Sequence, residues 1–191
     1  MSEWKKARVE LYPKSCFREN LESIAIAITF TVFVMIFVLQ ACMVDGHSME
    51  PTLHDRERLF VDKITYQILP LKTGDIVVFH PPLETKNRFI KRVIGTPGNY
   101  VEIKNGDVYI NGKPLHEPYL KDQDFLPGNY ASQVIPADKY LVLGDNRNNS
   151  NDGRWFGLIG KKAIVGRAVF VFWPFSRMGF IKYPHYYRTG D

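Results

Sequence analysis

The sequence predicts a mainly β protein: an N-terminal transmembrane helix followed by an antiparallel β-sheet domain. Three observations carry that expectation. Residues 23–44 contain no charged side chain, short apolar stretches alternate with turn residues over the rest of the chain, and Asn105-Gly106 interrupts two alternating stretches where a hairpin needs positive φ angles.

In chain order, residues 1–22 are polar and carry Lys5, Lys6, Arg8, Lys14 and Arg18. The run SIAIAITFTVFVMIFVLQACMV follows, and as a helix rising about 1.5 Å per residue it would cross a hydrocarbon core of about 30 Å. Its many β-branched residues favour a strand in water, but in lipid a lone segment satisfies its backbone only as a helix. Beyond the run the basic residues thin to Arg56, Arg58 and Lys63, which places the N-terminus in the cytoplasm and residues 45–191 outside. Leu39-Gln40-Ala41-Cys42 faintly resembles a lipoprotein processing site, although Gln40 fits it poorly.

The exported part reads as strands at RLFVDKI, GDIVVFH, NRFIKRVIG, NYVEIKNG, DVYING, KYLVLGD and AIVGRAVFVFWPF, with turns between them. Residues 114–136 are the least regular and are expected to form a long loop or small excursion. The 191 residues, 45% hydrophobic and 14% aromatic, suffice for one packed domain with an appendage. The net charge of +5 is scattered among 20 acidic residues, so no nucleic-acid surface is expected. Cys16 lies before the apolar run and Cys42 at its end, so they are not expected to bridge it, and the five histidines lack ligand spacing, so neither a metal nor another cofactor is expected. VFVFWPF, with Trp155 and Phe156, offers aromatics that could enter lipid, while Phe170 and Phe172 could equally fill the sheet core.

Three stretches could carry chemistry. In GHSMEPTL, Ser48 is a weak nucleophile until a base stands within hydrogen-bond reach. His47 adjoins it but points away in an extended backbone, leaving His54, His80 or a lysine. In NRFIKRVIG, a period of two puts Phe89, Lys91 and Val93 on one face and Ile90, Arg92 and Ile94 on the other. Lys91 then either projects among apolar neighbours, which favours its neutral amine, or sits at a strand edge with its head in water. The third stretch, GDNRNNSNDGRWFG, imitates a calcium loop at Asn148, Ser150, Asp152 and Gly153, but has no closing glutamate and no flanking helices. Clustered Asp and Asn also form ordinary turns.

Together SMEPTL, KRVIGTPGN and GDNRNNSNDGR, in this order behind an apolar segment, resemble the bacterial type I signal peptidases of the compact, single-span kind. The resemblance implies a membrane-bound serine endopeptidase of the cytoplasmic membrane that cleaves secretory preproteins after small residues. It implies that Ser48 is the nucleophile and Lys91 the general base, that Ser150 holds the amine in line, and that Asp152 and Arg154 brace the loop. Asp145, with Arg147, is expected to support structure. Gly46 stands where many relatives have a hydroxyl donor to the oxyanion, Asn99 where they often have Asp, and Gly153 where they often have Ser. The alternatives are a processing protease devoted to one substrate and a membrane-tethered binding module whose site has decayed.

Overall fold

The structure, a computed structural model, describes residues 16–82, 87–120 and 130–183. The chain divides after Val38 into two units. The first contains helix α1, Cys16–Phe37. Most of its described apolar side chains, among them Ile26 and Phe30, are exposed.

Here the structure corrects the expected membrane helix over 23–44. The helix ends at Phe37, and Leu39–Met43 is strand β1, paired antiparallel with strand β2, Arg58–Asp62, from Leu39 opposite Asp62 to Met43 opposite Arg58. The reason is tertiary. The edge of β2 offers residues 39–43 a ladder that satisfies their backbone, and Val44, with Cys42 partly buried, closes onto the core beside Leu59 and Val61. Residues 23 to 37 alone give about 22 Å of apolar helix. Among the described residues no helix is long and apolar enough to cross a membrane.

The second unit contains two antiparallel sheets. After β2 and a short helix α2, Thr65–Ile68, come β3, Ile76–Phe79, and β4, Phe89–Gly95. A meander of β5, Tyr100–Lys104, β6, Asp107–Ile110, and β7, Lys113–Pro114, leads to β8, Tyr130–Val134. The chain then returns through β9, Lys139–Leu143, helix α3, Gly153–Phe156, β10, Ile159–Gly160, β11, Ile164–Trp173, and β12, Gly179–Phe180. The larger sheet runs β1-β2-β11-β3-β4-β9-β10 with β12 against β11, and the smaller runs β7-β6-β5-β8. The expected hairpin stands between β5 and β6, with Asn105 at φ 52° and Gly106 at φ 89°.

The irregular segment is only partly a loop. Tyr130–Val134 pairs with β5, residues 117–120 form a turn closed by Leu120 N–H donating to Glu117 O, and 121–129 lie outside the described residues. Ile94, Leu141 and Leu143 of the larger sheet pack on Val101, Ile103 and Val108 of the smaller, fixing the two sheets together. Phe156 joins the core against Phe79 and Phe89, whereas Trp155 is exposed. Phe170 and Phe172 stack on Phe60.

Candidate active site

Ser48 lies in the loop between β1 and β2, which is pinned at several points. Val44 N–H donates to Glu57 O, Arg56 N–H to Val44 O, and Gly46 N–H to the Asp55 carboxylate at 2.8 Å. Met49 and Leu53 are fully buried and anchor the turn in the core. Arg177, beyond β11, pairs with the buried Glu57 and donates to Thr52 O at 3.2 Å, clamping the loop from the far end of the chain. Gly46 at φ +87° makes the bend before the serine, a backbone region where an added side chain is strained.

Lys91 comes from the centre of β4, opposite Val77 of β3. The two-residue period holds: Phe89 and Val93 pack in one cluster while Ile90 and Ile94 enter others. Lys91 is 4% exposed, which excludes the solvent-edge alternative. Its Nζ stands 2.6 Å from Ser48 Oγ, 3.1 Å from Ile90 O and 5.3 Å from the centre of the Phe89 ring. Burial lowers its pKa from 10.5 to about 8, partly opposed by the charges of Asp152 and Asp145. One amine N–H donates to Ile90 O, so in the neutral form the lone pair is free to accept the serine proton.

The histidines do not compete for that proton. His47 Nδ1 is 2.9 Å from Glu50 Oε1 and His54 Nδ1 3.6 Å from the same atom, so both turn to the glutamate; His80 is exposed at the end of β3.

The third stretch closes over the pair. Asn146 N–H donates to Ser48 O at 3.0 Å and Asn146 Nδ2 to His47 O at 3.1 Å, tying the loop after β9 directly to the serine loop. Asp152 caps α3, accepts from Gly144 N–H at 2.9 Å, and is gripped by Arg154 at 2.8 Å from Nε and 2.9 Å from Nη2. Gly144 is required by close approach: a Cβ there would meet Ser150 Oγ at 2.2 Å and Ser48 O at 2.6 Å. Ser150 Oγ is buried and has no hydrogen-bond partner among the described residues, so the contact to the lysine amine is not made in this structure. Asn99 closes the turn after β4 by accepting from Thr96 N–H and Oγ1, work an uncharged amide does as well as a carboxylate.

Two features were not read from the sequence. The sequence places Arg92 only on the opposite face of β4; it is 1% exposed and holds Asp145 with two bonds, at 2.8 and 2.6 Å. Arg147 pairs with Glu117, from the stretch expected to be irregular. The alternation in NRFIKRVIG could have flagged Arg92 as buried and in need of an acid; nothing local marks Glu117 as its loop's anchor. The result is a set of arginine–carboxylate pairs, 92 with 145, 154 with 152 and 147 with 117, in which each nearby carboxylate is already claimed. Among the described residues Lys91 is left without a salt-bridge partner of its own, which favours the uncharged amine.

The family described as signal peptidase, peptidase S26, matches residues 17–173, a stretch that includes all three motifs. The chain belongs to this family. Among similar proteins, Signal peptidase I of Leptolyngbya laminosa is 42% identical, covering 84% of this chain and 82% of the relative. Signal peptidase I of Bacillus amyloliquefaciens is also 42% identical, over 86% and 92%, and Signal peptidase IB of Staphylococcus aureus is 44% identical, over 83% and 90%. A crystal structure of a signal peptidase I from Enterococcus faecalis V583 is 31% identical, covers 52% of this chain and 97% of that one, and aligns with a TM-score of 0.46. The chain is thus a signal peptidase, a serine peptidase that cleaves signal peptides.

Proposed function

We propose that this signal peptidase works by a serine-lysine pair, Ser48 as nucleophile and Lys91 as general base, on preproteins presented at a membrane surface. One observation carries the reading: an amine 4% exposed, its pKa lowered to about 8, stands 2.6 Å from a serine hydroxyl. Ser48 Oγ attacks the carbonyl carbon of the scissile bond as Lys91 Nζ takes its proton. Lys91 then passes that proton to the leaving nitrogen, the C–N bond breaks, and an ester joins Ser48 to the signal peptide. A water deprotonated by Lys91 attacks the ester and frees both serine and peptide. Among the described residues the Ser48 N–H donates to no backbone carbonyl, which leaves it for the oxyanion, the more needed because Gly46 brings no hydroxyl. The substrate lies extended with small residues one and three positions before the cut, in shallow apolar pockets. Asp152 with Arg154 holds the loop, and Asp145 with Arg92 supports it from β4.

The pH profile tests the lysine. With a pKa of about 8, roughly a tenth of Lys91 is neutral at pH 7, against about one part in 3,000 for an ordinary lysine at 10.5. Cleavage of a model preprotein should therefore rise about tenfold from pH 7 and level off near pH 9. A rise that continues to pH 10.5, or none at all, would remove Lys91 as the base.

Attachment to the cytoplasmic membrane through α1 is part of the same proposal, with the β domain on the outer face. It is supported by the exposed apolar side chains of α1 and the basic residues before it. A second apolar feature lies on the β domain, where Trp173, Phe175, Met178 and Phe180 follow one another at the end of β11 and are all exposed. In the full chain with Trp4 and Trp155 changed to Phe, the fluorescence of Trp173 should be quenched by bilayers with brominated acyl chains. Unquenched emission would place this rim in water.

A further inference from the structure

Residues 115–120 follow β7 of the smaller sheet, yet two of their side chains reach the loop that covers the serine. The Glu117 carboxylate, 7% exposed, accepts from Arg147 Nη1 at 3.1 Å and also from Nη2, and the Tyr119 hydroxyl donates to the same carboxylate. The Tyr119 ring lies 3.8 Å from the centre of the Arg92 guanidinium. Each contact ends on an arginine that shapes the site. Arg147 Nε donates to Gly144 O at 3.0 Å, and Arg154 Nη2 to Arg147 O at 2.8 Å, so Arg147 sets the loop around Gly144 and Ser150. Arg92, next to Lys91 in β4, holds Asp145 and donates to Thr52 in the serine loop at 3.2 Å.

We propose that Glu117 and Tyr119 are positioning residues for the Ser48–Lys91 pair, a strut from the smaller sheet that acts through Arg147 and Arg92. The inference rests on the serine-lysine reading above. Tyr119 covers one face of the Arg92 guanidinium, and Glu117 both fixes and neutralises Arg147, whose side chain has no exposure at all. The groups facing Lys91 are Ser48 from the serine loop, Asp145 and Asp152 from the loop after β9, and Phe89 from its own strand; its β3 neighbour, Val77, adds no charge. Arg147 does not face Lys91, but it is coupled to Asp145, which does; without the charge of Glu117, an uncompensated Arg147 offsets more of the Asp145 charge and pushes Lys91 further toward its neutral form. Loss of Glu117 should therefore lower the plateau rate while moving the alkaline rise to lower pH, a combination that simple loss of stability does not produce.

The test measures kcat and KM from pH 6 to 11 for the full chain in micelles with a model preprotein. Glu117→Gln should reduce plateau kcat about tenfold with KM nearly unchanged, and shift the rise by about half a pH unit toward acid. Glu117→Gln combined with Arg147→Met removes both charges and should return the rise to its wild-type position even if kcat stays low. Tyr119→Leu should cost more kcat than Tyr119→Phe, which keeps the ring on Arg92. A Glu117→Gln enzyme whose rise does not move overturns the proposal, whatever its kcat. If that variant does not fold, Tyr119→Leu decides, and wild-type kcat in it is equally fatal. A wild type with no alkaline rise overturns the serine-lysine reading and this inference with it, whereas a normal wild-type rise unmoved in the variants rejects the strut alone.

Discussion

Ser48→Ala and Lys91→Ala should each reduce cleavage of a model preprotein by at least about a thousandfold in kcat, with KM changed little. The two losses should not add, because the hydroxyl and the amine act on one proton: the double variant should be about as slow as either single one. Lys91→Arg should be as inactive as Lys91→Ala, since a guanidinium keeps its proton at any pH the fold survives. The contrast lies with the histidines. His47→Asn and His54→Asn should retain activity within a few-fold, because both rings turn to Glu50 rather than to Ser48. Turnover near normal in Lys91→Ala, or its collapse in His54→Asn, would transfer the base to another residue. Ser48→Ala should unfold at the same temperature as the wild type, which separates lost chemistry from lost structure.

The second large effect concerns stability and has the opposite sign. Lys91 has a pKa of about 8 in the folded chain and 10.5 as an ordinary lysine, so between those values the unfolded state binds more protons and stability rises with pH. Below pH 8 both states are protonated and the full penalty of burying the ammonium applies, a difference of about 2.5 pK units or on the order of 3 kcal/mol. Lys91→Met keeps the shape and removes the charge, so at pH 7 the inactive variant should be the more stable one, with Tm raised by roughly 5 to 10 °C. The gain should fade above pH 10, where the wild-type amine is neutral in both states. Thermal unfolding of both proteins at pH 7 and pH 10.5 measures this, and a variant that melts at or below the wild type at pH 7 refutes the claim that burial is what depresses the amine.

Sequence and structure agree best where a residue's environment depends on its immediate neighbours. Asn105-Gly106 makes its hairpin because the turn demands positive φ, and a single dipeptide supplies it. The two faces of Phe89–Gly95 follow from pleat geometry, so the apolar setting of Lys91 could be foreseen as one of two possibilities. The disagreement over residues 39–43 has a different origin. Apolar composition cannot say whether a run meets lipid or the edge of a sheet, and here the open edge of β2, from a segment fifteen residues and more away, takes five residues near the end of the run. Strand Tyr130–Val134 is not legible locally for a similar reason: it forms by pairing with β5, while its own stretch lacks alternation.

What the chain order alone determined was the inventory: a serine hydroxyl before Met-Glu-Pro, a lysine in an alternating apolar strand, and a polar loop rich in Asp, Asn and Arg, with the apolar segment ahead of them. Tertiary structure decided which groups meet. The 2.6 Å between Lys91 and Ser48, the capture of Asp145 by Arg92, and the reach of Glu117 and Tyr119 into the loop each join segments remote in sequence. The physical reason is that a pKa and a hydrogen bond depend on what surrounds an atom in space. Burial of the amine is produced by β3, β4 and the loops closing over them, and no local pattern encodes that enclosure.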